Sequence, residues 1–466
     1  MAKIQRGDIF YNIEIEKIAA KGKALTHIDN LVVFVKEAVV GDIVDIKITK
    51  LKKNYLEAIV IKYHKYSDLR IRPACNHFGI CGGCKWQNLD YQFQLKYKEQ
   101  EVIEAFEHIG GITPQYVYHI LASEDIFYYR NKLEFTFSIH RWLTKNDPVS
   151  DSHPPAFGFH ALGKFDKVVD IYQCLLQPEP SNQIRNFVRQ LAFERNYEFY
   201  NIREHKGFLR NLVIRNNLAG EFMVMLIVAE NRMDDIHFIL DKIAEKFSQV
   251  ISLYYLVNKK CNDSYSDLNP IHYKGKKFLT EKIENLVFRI HPKSFFQTNT
   301  KQGLKLYQIV RKFAALTGRE TVYDLYTGTG TIALFIAPYA KRVIGLEYVE
   351  EAIEDARQNA QINNIKNADF YVGDIKDILT EDFFDKNGKP DIIILDPPRA
   401  GMHKNVVLAI KKAKPSRIVY VSCNPATQAR DIAMFLQMYD LKAIQPVDMF
   451  PHTYHVENIA LLELKK

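Results

Sequence analysis

From Thr321 onward, short β-branched runs alternate with helix-forming stretches, and this alternation restricts the fold more than any other feature of the chain. Strands are expected at Thr321–Asp324, Arg342–Leu346, Phe370–Val372, Asp391–Leu395 and Arg417–Val421, with helices at Thr331–Ala340, Glu350–Asn363 and between the last two strands. Each strand–helix–strand step returns the chain parallel to itself, so the pattern predicts a mostly parallel, doubly wound sheet. Sheets of this kind bind ligands beyond the carboxyl ends of their strands, which makes the strand-end residues the first candidates for function.

Those ends carry chemistry. In Asp324–Ala333 a strand gives way to a helix, with Gly328, Gly330 and Ala333 at the G-x-G-x-x-A spacing that lets a nucleotide-like ligand approach the backbone. Glu347 ends the next strand, where a carboxylate can accept both ribose hydroxyls. This pairing suits a dinucleotide or S-adenosylmethionine. Asp374 closes the third strand, where a methyltransferase places a group on the adenine, and Asp396-Pro397-Pro398-Arg399 closes the fourth. A dehydrogenase has no use for that second carboxylate and proline pair, so methyl transfer is the better reading. Cys423, in Val421-Ser422-Cys423-Asn424-Pro425-Ala426-Thr427, stands at a strand end before a helix start, a setting that favours thiolate. Near the C-terminus, Asp448, His452, His455 and Glu457 supply further acids and bases before the final strand.

The N-terminal part reads differently. Strand-like runs at Ile13–Ile15, Leu31–Val35, Ile43–Ile48 and Ala58–Ile61 fit a small five-strand barrel of the oligonucleotide-binding kind, with Phe34, Lys50, Lys52 and Lys53 on a face suited to RNA. Cys75, Cys81 and Cys84 follow in a glycine-containing loop, spaced C-x5-C-x2-C. Three thiols so close together point to zinc or an iron–sulfur cluster, with Cys174 preferred over Cys261 as the fourth ligand. A helix around Tyr91–His108 is followed by antiparallel-looking runs at Asn131–Ile139, Phe208–Ile214 and Phe222–Val228. Arg130, Lys132, Arg210 and Arg215 on or beside these runs are candidate RNA contacts.

Composition matters in two places. The net charge of +8 divides into +10 over residues 1–320 and −2 over 321–466, which puts the polyanion-binding surface in the N-terminal part. No apolar run approaches the roughly 20 residues of a membrane span, and no secretory signal opens the chain, so the expected location is the cytoplasm.

Over nearly its whole length the chain resembles the RNA uracil-5 methyltransferases, and within them the bacterial 23S ribosomal RNA branch. The resemblance implies a multi-domain α/β protein. Residues 1–65 would form a TRAM-type OB-like β-barrel, 66–290 a central α+β iron–sulfur and RNA-binding region, and 291–466 a Rossmann-like S-adenosylmethionine-dependent methyltransferase domain. It implies that Cys75, Cys81, Cys84 and Cys174 hold a [4Fe-4S] cluster. Gln297, in Ser294-Phe295-Phe296-Gln297-Thr298-Asn299, together with Tyr326, Glu347 and Asp396, would contact S-adenosylmethionine. Cys423 would be the nucleophile and Glu457 the base. The expected partner is RNA with a flipped uridine, most simply 23S rRNA, met by a monomer. A tRNA substrate and an RNA-binding module without catalysis are the alternatives.

Overall fold

In the computed structural model, which describes residues 4–144, 147 and 154–466, three large sheets follow one another along the chain. The first has six strands: Ile9–Glu14, Lys17–Ala19, Lys23–Ile28, Leu31–Lys36, Ile43–Leu51 and Tyr55–Lys65. Alternation builds its core. Ala24, Ile28, Val33, Val35, Val44, Ile46 and Ile48 point inward, and Phe34 points out, beneath Lys23 (4.9 Å) and edge-on to Tyr55 (5.3 Å). There are six strands rather than the five expected: the run at Ile13–Ile15 falls at the end of the bulged strand Ile9–Glu14, and Lys17–Ala19 and Lys23–Ile28 carry no run of β-branched residues to announce them as strands.

The second sheet has seven strands in the spatial order Val168–Asp170, Ala156–His160, Lys132–Ser138, Leu209–Asn216, Phe222–Val228, Val250–Val257, Ile271–Gly275. It is antiparallel except where Phe222–Val228 pairs with Val250–Val257, parallel strands joined over the helix Met233–Lys246. Leu212, Ile214, Val224 and Leu226 face this helix and Ser181–Glu194, whereas Val213, Met223, Met225 and Ile227 join the core of the C-terminal sheet. Burial on both faces explains the unbroken apolar run at Phe222–Val228.

The third sheet has eight strands in the order Ala368–Val372, Arg342–Glu347, Thr321–Leu325, Ile392–Leu395, Arg417–Ser422, Glu457–Leu464, Tyr439–Val447, Tyr116–Val117. The first five are parallel, and Glu457–Leu464 inserts antiparallel. The doubly wound sheet expected from the sequence is therefore present, with an antiparallel pair at one side. Tyr116–Val117, preceded by the helix Tyr91–Ala105, adds to this sheet, so a segment grouped by sequence with the central region lies against the C-terminal one. No described helix is long and apolar enough to cross a membrane.

Candidate functional site at the carboxyl edge and the cysteine cavity

The five parallel strands end together, and their register gathers the expected residues at one edge. Leu325 pairs with Leu346 and Leu395, and Leu395 with Tyr420, so Tyr326, Glu347, Asp396 and the Ser422–Cys423 turn share that edge. Ser422 pairs with Asn458 in the antiparallel ladder, which places Cys423 and Glu457 opposite each other at its end.

The glycine turn is held from beneath. Tyr326 (φ 66°), Gly328 (φ 55°) and Gly330 (φ 77°) are left-handed, and a Cβ on Gly330 would come within 2.9 Å of Ala356 Cβ and 3.1 Å of the Phe370 ring. Thr327 Oγ1 donates to Asp324 Oδ2 (2.5 Å), as does Ala333 N (3.1 Å), so Asp324 locks the turn onto its helix. Glu347 is oriented by main-chain donors: Gly328 N on Oε2 (3.1 Å), Tyr348 N (2.8 Å) and Val349 N (3.1 Å) on Oε1. Asp374 caps its own short helix through Lys376 N (3.2 Å) and pairs with the Lys376 ammonium, which holds its carboxyl below the usual range. Its carboxylate is thus already engaged. Gln297 is buried, with its main-chain carbonyl bound by Asn131 Nδ2 (2.8 Å), and its side-chain amide makes no hydrogen bond to described residues.

Burial raises the acids of this edge together. Asp324 and Asp396 are each pushed up to about 7 by burial, helped by repulsion from a second carboxylate. Glu457 is raised well above the carboxylate range by burial and then by Asp396, with Arg399 opposing. The Cys423 thiol is pushed up to about 11 by burial and by Glu457, again against Arg399. Among the described residues, Arg399 is the one cation acting on both groups. Its main-chain carbonyl accepts from Asn424 Nδ2 (3.0 Å) and Thr427 Oγ1 (3.2 Å), binding the Asp396–Arg399 loop to the cysteine turn. Sequence reasoning quoted Arg399 only as part of a motif; its place one turn beyond a strand-end acid was the available signal.

The four other candidate thiols meet elsewhere. Cys75, Cys81, Cys84 and Cys174 line a cavity of about 400 Å³ together with Arg130, Lys132, Glu134, Thr298 and Thr453. Burial pushes Cys84 up to about 11 and Cys174 up to about 12, and each is raised further by neighbouring thiols of the set. Cys261 is exposed and lies outside this group. Among the described residues no three His, Cys, Asp or Glu side chains are gathered tightly enough for one metal ion. Four thiolates on a single zinc would bring their sulfurs to within about 3.8 Å of one another.

The cysteine loop is fastened to both neighbouring sheets. Gly82 N donates to His160 O (2.9 Å), and a Cβ on Gly82 would lie 2.6 Å from that oxygen, so only glycine fits. On the other side Lys85 N (2.7 Å) and Trp86 N (3.1 Å) both donate to His452 O, five residues before Glu457. The helix Tyr91–Ala105 holds the 448–452 segment: Gln94 Oε1 accepts from His452 N (2.9 Å), and Lys98 forms a fully buried pair with Asp448 (2.6 Å). His452 and His455 are both lowered to about 4 by burial and nearby cations, which keeps them neutral.

Two of the basic residues read as RNA contacts are not available for that role. Arg210 is buried and donates to the carbonyls of Asn258, Lys260 and Asn262 and to Asp263. Arg215 is buried and donates to Ser294 O (2.6 Å). Each is consumed by main-chain acceptors that sequence does not reveal. Arg130 and Lys132 instead line the cysteine cavity.

Comparison with known proteins agrees with this arrangement. Residues 272–465 match the tRNA (Uracil-5-)-methyltransferase family model, and residues 10–61 match the TRAM domain. An uncharacterized RNA methyltransferase of Bacteroides thetaiotaomicron is 52% identical over 454 residues, covering 96% of this chain and 100% of the relative. One from Porphyromonas gingivalis is 48% identical, covering 97% and 99%. Among solved structures, the Pyrococcus abyssi tRNA (uracil-54, C5)-methyltransferase in complex with S-adenosyl-L-homocysteine superposes with a TM-score of 0.75 at 30% identity, covering 97% of this chain and 100% of that one.

Proposed function

The chain belongs to the RNA uracil-5 methyltransferase family, and from that premise we propose that it methylates carbon 5 of a uridine in 23S ribosomal RNA, in the cytoplasm. The observation that carries the reading is the placement of Cys423 and Glu457 next to Ser422–Asn458, the last pair of one antiparallel ladder, where Glu457 acts electrostatically on the thiol, on the edge that also bears the glycine turn and Glu347. Residues 1–65 and 66–290 would hold RNA, and 291–466 would perform the transfer.

S-adenosylmethionine supplies an electrophilic methyl group carried on a sulfonium. Glu347 would accept the ribose hydroxyls, with Tyr326, Gln297, Asp374 and Asp396 completing the contacts. Asp324, Asp396 and Glu457, all raised by burial and crowding, make this edge a place where an incoming positive charge is strongly favoured.

Carbon 5 of uracil is a poor nucleophile until carbon 6 is attacked. The Cys423 thiolate forms a bond to carbon 6, and the electrons displaced generate an enolate that makes carbon 5 reactive. Carbon 5 would then take the methyl group as the bond from methyl to the sulfonium sulfur breaks and leaves its electron pair on that sulfur; Glu457 would remove the carbon-5 proton, and elimination would break the bond from the Cys423 sulfur to carbon 6. A raised Glu457 is a stronger base once ionised, which suits a proton held on carbon. Arg399 favours the thiolate form of Cys423. Access to both faces of the ring requires a uridine taken out of its stack.

Cys75, Cys81, Cys84 and Cys174 would hold a [4Fe-4S] cluster. The support for it is the donor set itself, four thiols lining one cavity, which is the all-thiolate set such a group takes.

A tRNA substrate is the second reading, favoured by the likeness to the Pyrococcus tRNA enzyme across nearly the whole chain. Purified protein incubated with labelled S-adenosylmethionine and separate 23S rRNA and tRNA transcripts tests both, with 5-methyluridine mapped by nucleoside mass spectrometry. Product in rRNA alone supports the proposal; product in tRNA alone replaces it with the second reading.

A further inference from the structure

The loop that follows the strand Ile392–Leu395 is fastened to the helix Pro425–Ala433, which opens two residues after Cys423. Asp431, fully buried near the end of that helix, is the centre of the attachment. Its Oδ2 accepts from Met402 N (2.8 Å) and Tyr420 OH (2.8 Å), and its Oδ1 accepts from Arg430 Nε (2.9 Å) and Nη2 (2.6 Å). Arg430 Nη2 also donates to Ala400 O (2.9 Å), and Asn424 and Thr427 of the same turn and helix hold Arg399 O. Gly401 lies between these anchors in the left-handed region (φ 81°), and a Cβ there would come within 2.5 Å of both Arg430 Nη2 and Asp431 Oδ2. One carboxylate thus ties together the strand that ends at the cysteine, the helix that follows it and residues 399–402. A buried network whose members are paired in this way holds a single arrangement.

What the network holds in place is Arg399. That residue is exposed and its guanidinium forms no ion pair with a described carboxylate, so its position is set by the main chain of its own loop. Three charged groups act on the Cys423 thiol from the surrounding strand ends: Glu457 and Asp396 disfavour the thiolate, and Arg399 favours it. Resting on the reading of Cys423 as the nucleophile, we infer that Asp431 is a positioning residue, which seats residues 399–402 on the helix so that Arg399 stays beside the Cys423 turn and sustains the reactive thiolate.

The test is the alkylation rate of Cys423 at pH 9 in the full chain, followed by peptide mass spectrometry, for wild type, Asp431→Asn, Arg399→Gln and the double variant. Weaker support for the thiolate leaves less of it at this pH, about tenfold less for each unit of rise in the midpoint, partly offset by greater nucleophilicity. Asp431→Asn is expected to slow alkylation by about three- to tenfold, close to Arg399→Gln, and to add nothing in the Arg399→Gln background. The sign separates positioning from a merely structural role. A loosened loop uncovers the thiol, and loss of a carboxylate removes a negative charge; both would speed alkylation. Unchanged or faster alkylation in Asp431→Asn, or a full further slowing in the double variant, would overturn the inference. Should Asp431→Asn fold poorly, Thr427→Val removes one bond to Arg399 O without changing charge, and Thr427→Ser restores it. Slowing in the first with recovery in the second supports the inference, and wild-type rates in both count against it. No RNA enters this measurement, so its failure is distinct from failure of the function: a wild-type protein that forms no 5-methyluridine would overturn the reading of Cys423, and with it the role in catalysis, whatever the alkylation rates.

Discussion

Cys423 has carboxyls for neighbours, whereas Cys75, Cys81, Cys84 and Cys174 have cations, hydrogen-bond donors and one another. At the carboxyl edge Glu457 and Asp396 raise the thiol, and one arginine opposes them. Around the cavity, Lys85, Arg130 and Arg185 act on the thiols from different elements, and Lys132 in the wall is itself lowered to about 8 by burial and by Arg215. The same functional group is thus placed in two opposite fields. An edge of protonated acids gains most from a visiting cation, and a cavity walled by cations gains most from a resident anion. The fold joins the two through the 448–457 segment, which carries Glu457 at one end and contributes Thr453 to the cavity wall.

The widest separation between the two regions is expected on turnover. Cys423→Ala should reduce 5-methyluridine formation by at least about 10⁴-fold while S-adenosylhomocysteine still binds by calorimetry. Cys174→Ala should instead strip the protein of iron and reduce turnover by far less. Equal losses in the two variants would show that the cavity takes part in the chemistry and would break the comparison. Glu457→Gln should come next, with turnover down by about 10²–10⁴-fold and a covalent RNA–protein adduct visible as a shifted band on a denaturing gel. Absence of the adduct in a variant that is otherwise slow would remove Glu457 from the proton-abstraction step.

What could be read from the sequence follows the same division. The carboxyl edge was open to reading because each of its residues lies within a few positions of a strand end, where glycines, acids and a cysteine are out of place unless they bind or react. The cysteine triplet was visible for the same local reason. The joints were not. Lys98 and Asp448 are 350 residues apart, and a lysine within a helix announces a solvated face rather than a fully buried pair. Tyr116–Val117 is too short to show a period, and its partner strand lies more than 300 residues away. Arg210 and Arg215 looked like surface because their partners are main-chain carbonyls, which every sequence has.

The Lys98–Asp448 joint makes a smaller but sharper test of how the regions are coupled. Both side chains are fully buried, and Tyr91 OH also donates to Asp448 (2.8 Å). Lys98→Met leaves that carboxylate without its counter-charge and should cost about 3–5 kcal/mol in urea unfolding. Adding Asp448→Asn should recover part of the loss, because the stranded charge is then gone. If the double variant is as unstable as the single one, the pair serves packing rather than charge balance.

The finest distinction concerns the field at Cys423. Alkylation requires thiolate, so its rate follows the ionised fraction. With the thiol pushed up to about 11, alkylation at Cys423, followed by peptide mass spectrometry to separate it from exposed Cys261, should keep rising above pH 9 and level off only near 11. The sign at each neighbour is opposite. Glu457→Gln removes a group whose negative charge disfavours thiolate, so the midpoint should fall; Arg399→Gln removes the opposing cation, so it should rise. Each change is expected to be about one pH unit, the equivalent of about 1.4 kcal/mol between the two protonation states. Were all three proteins to level off together near the ordinary thiol value, burial and the two neighbours would not govern Cys423, and the contrast between the acid-lined edge and the cation-lined cavity would lose its electrostatic basis.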